Sequence, residues 1–288
     1  MNYTEIGDNI FFIEGQNRGR YFYSNSLLIR DECPLLIDTG PGPEIIEKIA
    51  EEENIYYLLL SHGHEDHNSG NRLFGDAIIC AHRLDAPTIR SVNNLIKLFG
   101  NIKPELEAEM EQFFKNVFGL IDCRVDRELK DGDIIDTGRH QVDVIHTPGH
   151  SQGHCCFYIP DSKIIFLADI DLSSFGPWYG CIDCHINDFI ASVNKIKELD
   201  YEIAVSGHKE LVRGKKEIDG KLDIYMEKIY EREEILQKEL DSGKSVEEIA
   251  DKAYIYGKFQ EPEEIYRQME KTMIEKHLEK IAEDKLRG

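Results

Sequence analysis

No stretch of the 288 residues approaches the ~18 consecutive apolar residues that a membrane-spanning helix needs. The opening residues, Met1-Asn2-Tyr3-Thr4-Glu5-Ile6-Gly7-Asp8, lack the basic-then-apolar order of an export signal, so a cytoplasmic location without a membrane partner is expected. Positive charge is scarce: 34 Lys and Arg stand against 55 Asp and Glu, a formal net charge of −21. So acidic a chain is repelled by phosphate backbones and anionic lipid, which weighs against nucleic acid as a partner. The seven cysteines are odd in number and scattered, and read as reduced core residues rather than a disulfide framework. Cys181-Ile182-Asp183-Cys184-His185 has the spacing of a haem-attachment motif, but that chemistry generally needs an exported chain. One CxxC is also only half of a structural zinc site, so packing is the expected role of the pair. Internal repeats and low-complexity tracts are absent too.

What is present is a concentration of metal-ligand side chains. Ser61-His62-Gly63-His64-Glu65-Asp66-His67 places three imidazoles and a carboxylate within six residues, after the apolar run Ile55–Leu60. That run reads as a buried strand, so the four groups sit on the loop at its C-terminal end. His62 and His64, two apart on extended backbone, can grip one cation, while Asp66 and His67 follow a turn and can face a second. Nitrogen-rich donors with one carboxylate suit zinc, iron, manganese or cobalt better than calcium or magnesium. Three further apolar runs each end in one such group: His150 after Val142–Thr147 and a Pro-Gly turn, Asp169 after Lys163–Ala168, and His208 after Ile203–Gly207.

These residues, in this order and spacing over roughly residues 3 to 212, resemble the metallo-β-lactamase superfamily of metallohydrolases. Its HxHxDH signature is matched by His62, His64, Asp66 and His67, and its later single ligands by His150, Asp169 and His208. The resemblance implies that His62, His64 and His150 hold one metal, that Asp66, His67 and His208 hold another, and that Asp169 bridges them. Zinc is the first expectation for the pair of divalent ions, with iron and manganese suited to the same donors. His64 is not the glutamate of flavodiiron oxygen reductases. By the same resemblance Asp38, in Leu36-Ile37-Asp38-Thr39-Gly40, orients the imidazoles from behind, and His154 supports the site without being a ligand.

The implied fold is α/β, an αββα metallo-β-lactamase sandwich over residues 1–212, with a helical insert at about 85–119 and a helical extension over 213–288. The residues themselves give strands near 10–14, 21–30, 34–38, 55–60, 77–80, 127–129, 141–145, 155–159, 163–167 and 203–205, with helices at 43–53 and 186–198. In the insert, Leu106, Met110, Phe113, Phe114 and Val117 have helical spacing over 105–118. They are expected to pack on the sandwich or to form a lid. Helices are expected at 221–239, 246–254 and 262–285, the second opened by a Ser245…Glu248 capping box. Such extensions shape the substrate pocket or a homodimer in related members. Trp178 and Tyr179 follow Asp169 closely enough to wall the cleft with Phe113 and Phe114.

The chemistry implied is hydrolysis by a hydroxide bridging two metals, formed because bound water's pKa falls towards ~7, with Asp66 as the catalytic carboxylate. A small thioester, ester or lactone is the expected substrate. The glyoxalase II branch is closest in motif spacing and in its C-terminal helices, although its basic glutathione-binding residues have no counterpart here. Lactonases carry a tyrosine three residues after the bridging aspartate, where Leu172 stands. A mononuclear-iron sulfur dioxygenase and a phosphodiesterase or ribonuclease are the alternatives.

Overall fold

Residues 3–100 and 102–287 are described by a computed structural model. The apolar runs form two facing sheets. The first contains β1 (Tyr3–Gly7), β2 (Ile10–Ile13), β3 (Ser26–Ile29), β4 (Leu35–Ile37), β5 (Tyr57–Leu60), β6 (Ile78–His82) and β7 (Arg127–Leu129), neighbours in chain order. Its pairing is antiparallel as far as β4 and parallel from there. The second runs β13-β12-β11-β10-β9-β8, from β8 (Ile134–Asp136), β9 (Gln141–His146), β10 (Cys155–Ile159), β11 (Ile164–Ala168), β12 (Ile203–Ser206) and β13 (Val212–Arg213). Only its β11–β12 pair is parallel.

Alternation along each strand divides the side chains between two faces. Leu35, Ile37 and Leu59 meet Phe157, Phe166 and Val205 in the core between the sheets. Leu36, Leu58 and Leu60 point the other way, onto Ile46 and Ile49 of α1 (Pro43–Glu52). On the opposite side, Tyr158, Ile165 and Leu167 pack against α6 (Ile186–Lys197) and α7 (Lys215–Asp241). Burial on both faces explains why these strands read as continuous apolar runs. The result is the expected αββα sandwich, with the chemistry-bearing residues on the loops that leave β4, β5, β9, β11 and β12.

Between the halves lie α3 (Ala86–Ile89), α4 (Val92–Lys97) and α5 (Pro104–Phe113), numbered after the short α2 (Glu65–Asn68) of the histidine-rich loop. The single helix expected over 105–118 breaks at Phe113 into a π-helical turn, Phe114–Phe118, closed by Gly119 at φ 64°. That wider turn lets Phe114 and Phe118 both face inward, onto Val92, Tyr179, Cys181 and the C-terminal helices. Phe114 is therefore core, while Phe113 remains at the surface. Beyond the sandwich, α7 is longer than expected and α8 (Val246–Ala250) shorter, but the Ser245–Glu248 capping box is present. The last helix is α9 (Glu263–Arg287). No helix among the described residues is long and apolar enough to cross a membrane.

The strand expected over 21–30 begins only at Ser26, because the preceding segment leaves the sheet to brace the site. Ser24 Oγ donates to the Asp66 carbonyl, and the Asn25 amide donates to the Ser206 and Lys209 carbonyls, on either side of His208. Strands β1, β8 and β13 were not among those expected. Cys181 and Cys184 are buried thiols in the core formed by the insert and the extension, and all seven cysteines are free.

Two glycines separate site from scaffold. A Cβ on Gly40 would stand 1.6 Å from the Asp66 carbonyl oxygen, whereas one on Gly220, in α7, meets nothing within 4 Å. Gly40→Ala should cost about 3 kcal/mol or more through backbone displacement. Gly220→Ala should stabilise by roughly 0.5–1 kcal/mol through helix propensity. Urea denaturation midpoints check both; equal shifts of one sign would contradict this packing.

Candidate metal centre

Three imidazoles converge first. His62 Nε2, His64 Nδ1 and His150 Nε2 lie 3.0, 3.2 and 2.8 Å apart pairwise. Their other ring nitrogens show which atoms carry protons. His150 Nδ1 donates to the Trp178 carbonyl at 3.1 Å. Ser61 Oγ donates to Asp38 Oδ2 at 2.7 Å, so it accepts from His62 Nδ1 at 3.0 Å. The inward nitrogens of His62 and His150 are thus both lone pairs, facing each other at 3.2 Å with no proton between them. Burial holds these rings neutral, pushing His64 down to about 4 and His150 to about 3. Such a donor set fits a cation.

A second group lies beside it. His67 Nδ1 donates to Asp38 Oδ2 at 2.6 Å, leaving Nε2 towards Asp169 Oδ1 at 2.8 Å. His208 Nδ1 is bound to the Gly19 and Tyr23 carbonyls at 2.7 and 3.1 Å. Its Nε2 is 3.4 Å from both Asp66 Oδ2 and Asp169 Oδ1. Burial would lower the pKa of His208, but the charges of Asp169 and Asp66 outweigh it and raise it to about 10. Asp169 spans the two groups, since its Oδ2 reaches His150 Nε2 at 3.2 Å while Oδ1 faces His67 and His208. Three sets have ligand atoms mutually within 4.8 Å: His62/His64/His150, His62/His67/Asp169 and Asp66/His67/His208. The structure therefore brings together all seven residues singled out as ligands. Asp169 Oδ1 is buried without a hydrogen-bond partner in the protein, a further sign that the donors fit a metal.

Supporting groups hold the loops. Asp38, at φ 59°, accepts from the Ser61 N–H and hydroxyl and from His67. His154 Nδ1 faces the Thr147 carbonyl at 3.1 Å, so its Nε2 accepts from the Asp169 N–H at 3.2 Å. It thereby fixes the backbone of the spanning carboxylate without joining the donor set. Asp85 and Asn68 went unnoticed in the sequence. Asn68 donates to the His62 and His64 carbonyls. Asp85 accepts from the Gly63 N–H, the Ser151 hydroxyl and the Gly153 N–H, pinning the His62–His67 loop to the His150 loop. Burial raises its pKa to about 6.

The aromatic wall expected from four residues is divided. Trp178 stands at the site, its ring 5.5 Å from those of His64 and His150. Tyr179 is fully buried, bonded to Arg232 and His277, and offers no surface to a substrate. Phe114 is core, whereas Phe113 meets Phe22 edge-on at 5.8 Å. Tyr21, beside Phe22, donates to Glu65 in the metal loop at 2.7 Å.

Every partner of Asp85 is a donor, so Asp85→Asn must turn its NH2 against at least one of them. The loss should be about 1–3 kcal/mol for each buried donor left unpaired. Metal affinity should fall by about 10–100-fold, as for other groups behind ligands. Thermal melts and chelator competition measure both; unchanged values would show that Asp85 does not couple the loops.

The metallo-beta-lactamase superfamily model matches residues 19–208. The chain is 26% identical over 217 residues to the human acyl-coenzyme A thioesterase MBLAC2, covering 68% of this chain and 75% of that one. It is 49% identical over 45 residues to a hydroxyacylglutathione hydrolase of Rhizobium meliloti (strain 1021), 16% of this chain and 18% of the relative. Among solved structures, a metallo-beta-lactamase family protein of Thermus thermophilus superposes with a TM-score of 0.72 at 18% identity, over 96% of this chain and 94% of its own. On the extent of the family match, together with the fold, this chain belongs to the metallo-beta-lactamase superfamily.

Proposed function

We propose that the chain is a dinuclear metal-dependent hydrolase of small thioesters with an apolar acyl group. The observation that carries this is the Asp169 carboxylate, shared between the three-histidine group and the Asp66/His67/His208 group. His62, His64 and His150, and Asp66, His67 and His208, with Asp169 between them, would hold two first-row cations, zinc being our first choice, which would supply Lewis acidity and a water of pKa near ~7. Around them the protein excludes bulk water from one side, since His62 and His67 have no exposed surface. Asp66 Oδ2 lies 3.4 Å from His208 Nε2, at the edge of the donor set, where its carboxylate can orient the attacking water. In the net reaction a carbon–oxygen bond forms, the carbon–sulfur bond breaks, and the thiolate takes up a proton. A thiol of pKa ~8.5 needs little acid assistance to leave.

The thioester class is supported by the two relatives, whose names each place an acyl group on a thiol carrier. The apolar acyl group is supported by Tyr21, Phe22 and Phe113, which remain 48%, 41% and 37% exposed as one aromatic cluster. Tyr21 ties that cluster to the metal loop through Glu65. Exposed apolar area joined to a polar centre is typical of a substrate site.

A panel of acyl thioesters, esters, lactones and phosphodiesters tests the reading, with thioesters expected to give the highest kcat/KM. Oxygen uptake with a persulfide, or preferred cleavage of RNA, would instead favour the dioxygenase or nuclease alternatives. Phe22→Ala and Phe113→Ala should each raise KM for long-chain acyl thioesters by about ten-fold, the equivalent of losing roughly 1.4 kcal/mol of apolar contact, while metal content stays constant. Equal effects on acetyl and long-chain substrates would remove the cluster from acyl recognition.

A further inference from the structure

The C-terminal helices grip one short segment of the sandwich, Phe175 to Tyr179, through several buried hydrogen bonds. Arg232, on α7, is almost fully buried, and among the described residues its guanidinium makes no direct salt bridge. It donates instead through Nη1 to the Pro177 carbonyl at 2.6 Å and the Tyr179 hydroxyl at 2.9 Å, and through Nη2 to the Phe175 carbonyl. Its Cζ also stands 4.7 Å from the Phe175 ring centre. From α9, His277 Nε2 meets the Tyr179 hydroxyl at 2.7 Å. A buried guanidinium must have its N–H groups satisfied, and the planar fork is the feature that satisfies several acceptors at once. Lysine, with one ammonium, cannot reproduce that geometry.

The residue inside this clamp is Trp178, and it faces the metal centre in two ways. Its carbonyl accepts from His150 Nδ1, which fixes the tautomer and the ring plane of that imidazole. Its indole ring packs against His64 and His150, and its Nε1–H donates to Tyr256 at 2.6 Å. Tyr256 is in turn held by the buried Glu270 of α9, which accepts from the Ile255 and Tyr256 N–H groups. The backbone and the indole of one residue thus have separate anchors in the extension, Arg232 for the first and Tyr256 for the second.

We propose that Arg232 is a positioning residue for the three-histidine metal site, acting through the Trp178 carbonyl on His150, so that the C-terminal extension completes that site. This rests on His62, His64 and His150 holding a metal, and it is independent of the substrate. Trp178 is the sole tryptophan, so its emission reports on the clamp directly.

Zinc affinity by competition with a chromophoric chelator, read together with tryptophan emission, tests the proposal on the full chain. Arg232→Lys should weaken one of two zinc sites about 10–100-fold and leave the other within about two-fold. Tyr256→Phe should shift the emission, because the indole loses its partner, while both affinities stay at the wild-type value. Loss of both sites in Arg232→Lys, or of neither, in protein that melts cooperatively would overturn the proposal. If Arg232→Lys does not fold, the wild-type titration decides: emission should change as the three-histidine site fills, and constant emission through loading overturns it. Wild-type protein that binds no zinc, iron or manganese would instead sink the metal reading itself.

Discussion

One largely enclosed carboxylate organises this molecule's chemistry. Asp169 sits at the end of β11 with its two oxygens facing different sets of imidazoles, His67 and His208 on one side and His150 on the other. Burial alone would favour the protonated acid, but the surrounding imidazoles hold its pKa well below the usual carboxylate range. Its charge therefore persists where few charges are tolerated, and the protein has to build around it. His154 from behind fixes its backbone, and Gly207 approaches so closely that a Cβ there would stand 3.1 Å from Oδ1.

The loops that bring the other donors in are held by polar groups that are themselves satisfied. Asp38 orients Ser61 and His67, Asn68 closes the His62–His64 turn, Asp85 joins two loops, and Asn25 ties β3 to the His208 loop. The sandwich contributes rigidity through strands apolar on both faces, and the site stands where those strands end. This division explains why an acidic scaffold can present nitrogen donors about 3 Å apart. The arrangement gains its use only when something positive occupies the space between them.

How much of this could be read beforehand varied with how local the cause was. The His62–His67 cluster and the single groups at His150, Asp169 and His208 were legible because each follows a strand-like apolar run. The capping box at Ser245 was legible for the same reason, since both partners lie within one turn. Asp85 was not: it is a lone acid in a long connection, and its three partners come from two distant loops. Tyr179 was misjudged because its environment is made by Arg232 and His277, more than fifty residues downstream. Phe113 and Phe114 were treated alike because helical spacing cannot anticipate the π-helical turn that sends one out and the other in. Residues 21–25 looked like strand by composition, but hydrogen bonds to the histidine-bearing loops draw them out of the sheet.

The central claim is that Asp169 is shared by two metal ions. Elemental analysis of anaerobically purified, fully metal-loaded protein tests it most directly, run on wild type beside Asp169→Ala. The account predicts two first-row transition metals per wild-type chain, and a loss of affinity at both positions in the variant. One metal or fewer in the wild type, or a variant that keeps one position at full affinity, would contradict it.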